Sequence, residues 1–289
     1  MIIAPSSRLL ATTILTLGLA ACGSASVTES VSAAGSSVEK QQVLALLKSI
    51  ETGEQAPAAV INPTNYIQHN LAVADGLAGF GEILQALPAG SARADTVRVF
   101  QDGSYVFAHT DYNFFGPKIG FDIFRYENGQ IVEHWDNLQE TAVEPNPSGH
   151  TMIDGPTEAE GLAQTEANKA LARGFVEDIL VNGQMDKLAA YFDGDNYIQH
   201  NPQFGDGLSG LNKGLQAMAD AGITMKYTQI HQVLGEGNFV LVTSEGEFGG
   251  QHTAFYDLFR VQDGKIAEHW DTIETIADQS TWKNNNGKF

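Results

Sequence analysis

Apolar residues recur with a helical period early in the chain and with a strand-like one later. Val43, Leu46, Leu47 and Ile50 fall at i, i+3, i+4 and i+7, and Leu77, Phe80, Leu84 and Leu87 mark a further apolar stripe. Both patterns predict amphipathic helices. The stretches 96–100, 105–110, 120–126 and 131–138 alternate or are β-rich, with Asp102-Gly103 and Asn128-Gly129 where hairpin turns are needed. The second half repeats the order. Leu171, Phe175 and Ile179 open it, a short helical stretch at 186–192 follows, and Leu208, Leu211, Leu215 and Met218 mark the next helix. The counterpart of 186–192 in the first half is less regular because of Pro57, and Glu236-Gly237 and Asp263-Gly264 are the later turns. Helices followed by an antiparallel meander predict an α+β fold, with helices packed on one face of a curved sheet.

The repetition extends to residue identity. Tyr66-Ile67-Gln68-His69-Asn70 recurs as Tyr197-Ile198-Gln199-His200-Asn201, and the fifteen residues 122–136 align with 257–271 at nine identical positions. Asp75-Gly76-Leu77 and Gly79 likewise match Asp206-Gly207-Leu208 and Gly210. Two homologous units in series are therefore expected. The reading is a leader at 1–21, a tether at 22–38, a first domain at 39–143, a linker at 144–163, a second domain at 164–279 and a tail at 280–289. Pro145, Pro147, Gly149, Gly155 and Pro156 interrupt all periodicity in the linker.

Composition narrows the partners. Sixteen Lys and Arg against 35 Asp and Glu give a net charge of −19 over 289 residues, so nucleic acid is not an expected partner. The 43% hydrophobic content suffices for two cores. The single Cys22 excludes an intramolecular disulfide. It follows an apolar run, 9–21, that is too short to span a bilayer and that ends in small residues after Arg8, as in a secretory leader.

Leu19-Ala20-Ala21-Cys22 resembles the bacterial lipobox, which implies a lipid anchor on Cys22; the competing reading is an ordinary signal peptide. Gly23, in place of an Asp, then implies sorting to the outer membrane, facing the periplasm. The order of helix, YIQHN, Asp-Gly helix and FR-x3-G-x-I-x-EHWD resembles the SnoaL-like group of the nuclear transport factor two-like superfamily. That resemblance implies two tandem cone-shaped α+β domains, pairing through their sheets as an intramolecular pseudo-dimer or a homodimer. It also implies cofactor-free proton transfer on a small-molecule carbonyl ligand, as in aldol cyclisation, isomerisation or dehydration. The group's pattern continues His-Asn-Pro and carries two further histidines on the strands. The second half keeps Pro202 and His231 but has Thr243 where His109 stands, whereas the first keeps His109 but has Leu71 and Val97. Either pocket, or both, is therefore open to being the active one.

Strand alternation puts His134 with Asp136, and His269 with Asp271, on common faces. If those faces line the cones, each pair suits proton transfer near neutral pH. The competing reading makes these histidines structural and puts Glu133 with Trp135, and Glu268 with Trp270, on the pocket side. His69 and His200 are expected either to reach the cone mouth as catalytic groups or to fix a turn, with Asn70 and Asn201 beside them. Tyr66, Tyr197, His109, His231, Asp122 and Asp257 are candidate substrate contacts; the tyrosines are equally core residues, and the two aspartates are equally partners of Arg125 and Arg260. The family's acidic base falls either at Asp136 and Asp271 or at Gln139 and Glu274. No metal motif, phosphate loop or dinucleotide fingerprint is present, so no cofactor is expected. A cluster of His69, His109, His134 and Asp136 around a metal is a minority reading. The rival to an enzyme is a non-catalytic lipoprotein that binds a ligand or a protein.

Overall fold

The computed structural model describes residues 36–87 and 90–289; the expected leader, Cys22 and most of the expected tether lie outside them. Helix α1 (Val38–Thr52) begins where the Ser37 hydroxyl accepts from Lys40 N at 3.1 Å, and it stops at Gly53, whose φ of 73° suits a residue without Cβ. Helix α2 (Gly76–Ala86) follows the first YIQHN segment. Then come β1 (Ile67–Gln68, preceding α2), β2 (Arg93–Asp102), β3 (Tyr105–Asn113), β4 (Pro117–Glu127) and β5 (Gln130–Glu140). In the second half, α3 (Thr165–Phe175) runs into a π-turn at Val176–Val181, then α4 (Leu188–Tyr191), β6 (Ile198–Gln199) and α5 (Gly207–Asp220). The last four strands are β7 (Met225–Glu236), β8 (Phe239–Phe248), β9 (Gln251–Gln262) and β10 (Lys265–Thr275).

The two five-stranded sheets have the same order, β1-β5-β4-β3-β2 and β6-β10-β9-β8-β7. Both are of α+β architecture, with a short parallel strand added to a four-stranded antiparallel meander. The meander expected from the sequence is present, but each sheet has one further strand. Ile67 pairs in parallel with Glu133, and Ile198 with Glu268. Two residues are too few to display a period of two, which is why this strand escapes the hydrophobic pattern.

Three apolar clusters organise the packing. In each half the helices cover one face of the sheet, with Val43, Leu46 and Leu47 against Val106 and Phe124, and Phe175 and Ile179 against Val242 and Phe259. The third cluster lies between the opposite faces of the two sheets and contains Phe100, Phe107, Phe121, Trp135, Phe239, Tyr256 and Trp270. Phe100 stacks on Phe239 at 4.5 Å between ring centroids, and fully burying such rings contributes roughly 1.5–3 kcal/mol each. Polar groups tie the same seam reciprocally. Leu138 N donates to Glu274 Oε2 at 2.8 Å and Ile273 N to Gln139 Oε1 at 2.8 Å.

The chain also crosses between halves. Beyond β5, Asn146 Nδ2 donates to Gln199 O beside β6 at 2.6 Å. Beyond β10, Asn284 Nδ2 donates to Asn70 O at 2.8 Å and Asn286 Nδ2 to Gln68 O at 3.0 Å. Each YIQHN segment is thus held by the peptide leaving the other sheet.

Candidate active site

Each sheet's helix-covered face encloses a mostly apolar pocket, and parity decides what lines it. Asp136 on β5 pairs directly with Asp122 on β4, and Asp271 on β10 with Asp257 on β9. Directly opposed like charges repel, and here all four are buried. His134 and His269, two residues before the terminal aspartates, share that face. The first pocket, about 230 Å³, is lined by Tyr66, Gln68, Asn70, Asp122, His134 and Asp136 among apolar residues of α1, α2 and β3. The second, about 190 Å³, is lined by Tyr197, Gln199, Asn201, Asp257, His269 and Asp271 with Phe175, Met225 and Phe259.

The second pocket's polar groups form a chain with defined donors. His200 N and Asn201 N both donate to Gln199 Oε1 at 2.9 Å, and Gln199 Nε2 donates to the Tyr197 hydroxyl at 2.9 Å, so the glutamine amide has one orientation. His269 Nδ1, 3.0 Å from that oxygen, must donate to it, and Nε2 lies 3.0 Å from Asp257 Oδ1, so a proton can be held between that ring nitrogen and the aspartate. Burial alone would lower the His269 pKa, but the Asp257 hydrogen bond and the charges of Asp271 and Asp257 hold it above the ordinary value. Tyr227 donates to the same aspartate at 3.2 Å.

Asp271 is held differently. Asn201 Nδ2 donates to its Oδ2 at 2.7 Å, while Oδ1 is buried without a hydrogen-bond partner. Burial pushes its pKa up to about 6; His269 opposes this, and the charge of Asp257 adds to it.

The first pocket repeats the plan. His134 has Nδ1 2.9 Å from Gln68 Oε1 and Nε2 3.1 Å from Asp122 Oδ1. Asn70 Nδ2 donates to Asp136 Oδ2 at 2.5 Å and Tyr112 to Asp122 Oδ2 at 2.7 Å. Burial raises the Asp122 pKa against the opposing His134 hydrogen bond. One cation distinguishes this pocket from its twin: Lys288, from the C-terminal tail, places Nζ 3.7 Å from Asp136 Oδ1 and 2.7 Å from Glu274.

The alternatives left by parity are therefore resolved in favour of the His and Asp faces. Gln139 and Glu274 belong to the seam between sheets, so of the two alternatives for the acidic base Asp136 and Asp271 are the ones on the pocket side. Asp122 and Asp257 bind the pocket histidines, while Arg125 and Arg260 pair instead with Glu133 and Glu268 at 2.7 Å. Tyr66 and Tyr197 are both buried and pocket-lining.

Four expected site histidines need correction. His69 N still bonds to His134 O, so the extended register continues one residue past Gln68. Because Gln68 takes the pocket face, His69 takes the other. It stacks on Trp135 at 4.8 Å with Nε2 on Glu133 and Nδ1 on Gly287 O. His200 does the same with Trp270 at 4.6 Å, Glu268 and Thr151 O. His109 is opposite Phe121, one residue out of step with the Ala108–Asp122 pair, so it faces the seam. It accepts from Arg98 at 3.1 Å, and burial followed by the Arg98 charge lowers its pKa well below 6.5. His231 is the extra residue of a β-bulge in edge strand β7; it contacts Glu245 at 2.8 Å and stacks on Phe289. None of these four lines either pocket.

Sequence reasoning missed Gln68, Gln199, Tyr112, Tyr227 and Lys288. The glutamines were legible in principle, as members of the duplicated YIQHN block one residue before the histidines. The tyrosines were not, because they occupy different strands. Tyr112 on β3 is opposite Ala94, whereas Tyr227 on β7 is opposite Gly246. A large and a small residue have exchanged strands, while both hydroxyls reach the equivalent aspartate.

Three His-carboxylate sets gather among the described residues: Asp122, His134 and Asp136; Asp257, His269 and Asp271; and His150, Asp154 and His200. In both pocket sets, Nδ1 is directed at a glutamine oxygen that already accepts backbone N–H, and Nε2 at an aspartate. These two sets read as hydrogen-bond chains around a proton. The minority grouping of His69, His109, His134 and Asp136 does not form, since the first two face away from the pocket.

Residues 172–269 match the SnoaL-like domain family. No curated protein matches the chain. Among solved structures, it is similar to a proposed ketosteroid isomerase from Kribbella flavida, at 18% identity over 40% of this chain and 83% of that one, with a TM-score of 0.33. A Xanthomonas campestris protein of unknown function with a cystatin-like fold is 24% identical over 39% and 93% of the two chains, with a TM-score of 0.31. A proposed polyketide cyclase, IdmH from Streptomyces antibioticus, is 16% identical over 36% and 93%, with a TM-score of 0.31.

Proposed function

We propose that this protein is a cofactor-free acid–base catalyst that moves a proton on a small, mostly apolar carbonyl compound, with Asp271 as the exchanging group. The observation that carries this reading is the Asp271 carboxylate, oriented by Asn201 through Oδ2 and unpartnered at Oδ1 in an apolar pocket. A carboxylate whose pKa is raised to about 6 is matched to abstracting and returning a proton beside a carbonyl near neutral pH. Oδ1 would take the proton. Tyr197, whose oxygen already accepts from Gln199, is placed to donate its hydroxyl hydrogen to the developing oxyanion, and burial raises its pKa well above 10, so that hydrogen is retained. His269, fixed between Gln199 and Asp257 and with its pKa held above the ordinary value, would stabilise the enolate through its field. A pocket of about 190 Å³ suits a compact ligand of one or two rings.

A binding role is the second reading, and it applies to the first pocket, where the Lys288 ammonium stands beside Asp136. We further propose that the two halves are tandem SnoaL-like domains forming a pseudo-dimer within one chain, anchored through Cys22 to an outer membrane on its periplasmic side. The duplicated blocks support the first part and the lipobox-like sequence the second.

The test is proton exchange. Apolar cyclic ketones and enones are incubated with the protein in D2O and followed by NMR. Catalysed exchange at the carbon next to the carbonyl, lost in Asp271→Asn with ligand binding retained, supports the enzyme. Saturable binding with no exchange for any compound leaves only the binding reading.

A further inference from the structure

Outside both pockets, the linker carries a constellation that the acid–base reading does not use. His150, Asp154 and His200 bring one ligand-type atom each to within 4.8 Å of one another. We propose that they form a site for one divalent transition cation of the zinc class, which fastens the linker to the second half beside β6.

His150 and Asp154 are spaced as such a site requires, and His200 stands at hydrogen-bond distance from the same carboxylate. Asp154 Oδ1 is anchored by Thr151 N at 2.9 Å and Thr151 Oγ1 at 3.0 Å, while Oδ2 lies 3.6 Å from His150 Nδ1. That separation is too long for a hydrogen bond. It is close to the roughly 3.4 Å between two ligands that share a tetrahedral zinc at about 2.1 Å. His200 Nδ1 lies 2.9 Å from Asp154 Oδ1 and 2.8 Å from Thr151 O, which adds a carbonyl to the two imidazoles and the carboxylate.

Behind the donors stand the groups that orient ligating histidines. His150 Nε2 is 3.1 Å from Asp206 Oδ2, and His200 Nε2 is 2.8 Å from the buried Glu268 Oε1. His150 Nδ1 is left without a hydrogen bond toward Asp154, whereas His200 Nδ1, facing two oxygen acceptors, carries a hydrogen that the cation would displace; the Nε2 contacts to carboxylates then fix ring orientation as in metal-ligating histidines. His150, Thr151 and His200 also line a cavity of about 280 Å³, which supplies an entry path.

The duplicated half supplies a built-in contrast. His69 has the same Trp, Glu and backbone-carbonyl partners as His200, but the segment that meets it runs Gly287-Lys288-Phe289 and carries neither a carboxylate nor an imidazole side chain. One cation per chain is therefore expected, not two.

The experiment uses the full chain, stripped with a chelator and titrated with Co2+ and Zn2+. The proposal expects saturation at one equivalent, visible absorption from bound Co2+ and a rise in Tm with Zn2+. His150→Ala and Asp154→Asn each alter a partly or largely exposed side chain, so the metal-free fold is retained. Each should weaken Co2+ binding by at least about 10-fold and abolish the Zn2+-dependent rise in Tm. Asp271→Asn should leave stoichiometry and affinity unchanged. Absence of saturable uptake, uptake indifferent to His150→Ala and Asp154→Asn, or uptake lost in Asp271→Asn would each overturn the proposal.

Discussion

Asp257 and Asp271 stand directly opposite each other on neighbouring strands, both buried, and the His269 imidazole lies 3.0 Å from Asp257 Oδ1. The asymmetry separates their roles: one carboxylate bonds the imidazole, and the other carries the raised pKa. If Asp271 is the exchanging base, kcat/KM for proton abstraction should rise with pH through an apparent pKa of about 6 and then level off. Asp271→Asn should lower exchange by at least about 10²-fold at pH 7.5. A pH–rate profile that keeps the same limb in the variant would remove Asp271 from the chemistry.

The same group should limit stability. Its carboxyl has a pKa of about 6 in the folded protein against 3.8 ordinarily, so between those pH values the folded state holds a proton that the unfolded state has released. Its contribution is therefore fully present below about pH 4 and lost as pH rises through about 6. Asp271→Asn should be more stable than the parent at pH 7.5 by up to about 3 kcal/mol, with the gap closing toward pH 4. Urea unfolding at the two pH values measures it.

His200 should prove structural. Removing its ring leaves Glu268 buried beside Arg260 with one oxygen unpaired and uncovers the Trp270 face. His200→Gln is expected to cost about 3–5 kcal/mol while leaving the pKa of the pH–rate profile near 6. A shifted profile with unchanged stability would instead return His200 to the catalytic machinery.

Deleting residues 283–289 should loosen the first half selectively. The tail satisfies Leu71 O, Asn70 O, Val73 O and Gln68 O, and closes on His69 through Gly287. Hydrogen exchange in the deletion variant should quicken at 68–75 while remaining unchanged at 199–206, which is held by the linker instead through Asn146 and Ser148.

The two tyrosines should differ in worth. Tyr112 donates to Asp122 at 2.7 Å, whereas Tyr227 lies 3.2 and 3.3 Å from the Asp257 oxygens. Tyr112→Phe is expected to cost about 1.5–3 kcal/mol and Tyr227→Phe nearer 1 kcal/mol, read from denaturant midpoints. Gly246→Ala should cost more than either, because an added Cβ would lie 1.9 Å from Lys226 O, on the strand that carries Tyr227.

The fold was legible wherever local chemistry decides it. Helix stripes, Asn128-Gly129 and Asp263-Gly264 turns and strand alternation are set by backbone conformations that nearest neighbours control, and Asn128 and Asp263 do adopt positive φ. Alternation also joined His134 to Asp136 and His269 to Asp271. It could not say which face of β5 or β10 looks inward, because EHWD has a polar and an aromatic member to offer each side. The His69 and His200 expectations failed for the same reason: the decision rests on a two-residue parallel strand that pairs across more than sixty positions of sequence.

The sequence by itself determined the duplication, the α+β order of elements and which side chains travel together, since these follow from residue identity and a fixed period. Only the tertiary structure decided which of them meet. It set Asp122 against Asp136 and Asp257 against Asp271, carried Lys288 to one pocket alone, and let Tyr112 and Tyr227 reach equivalent aspartates from different strands. Those juxtapositions arise from long-range register and from burial, which changes the cost of a charge only after the chain has closed around it.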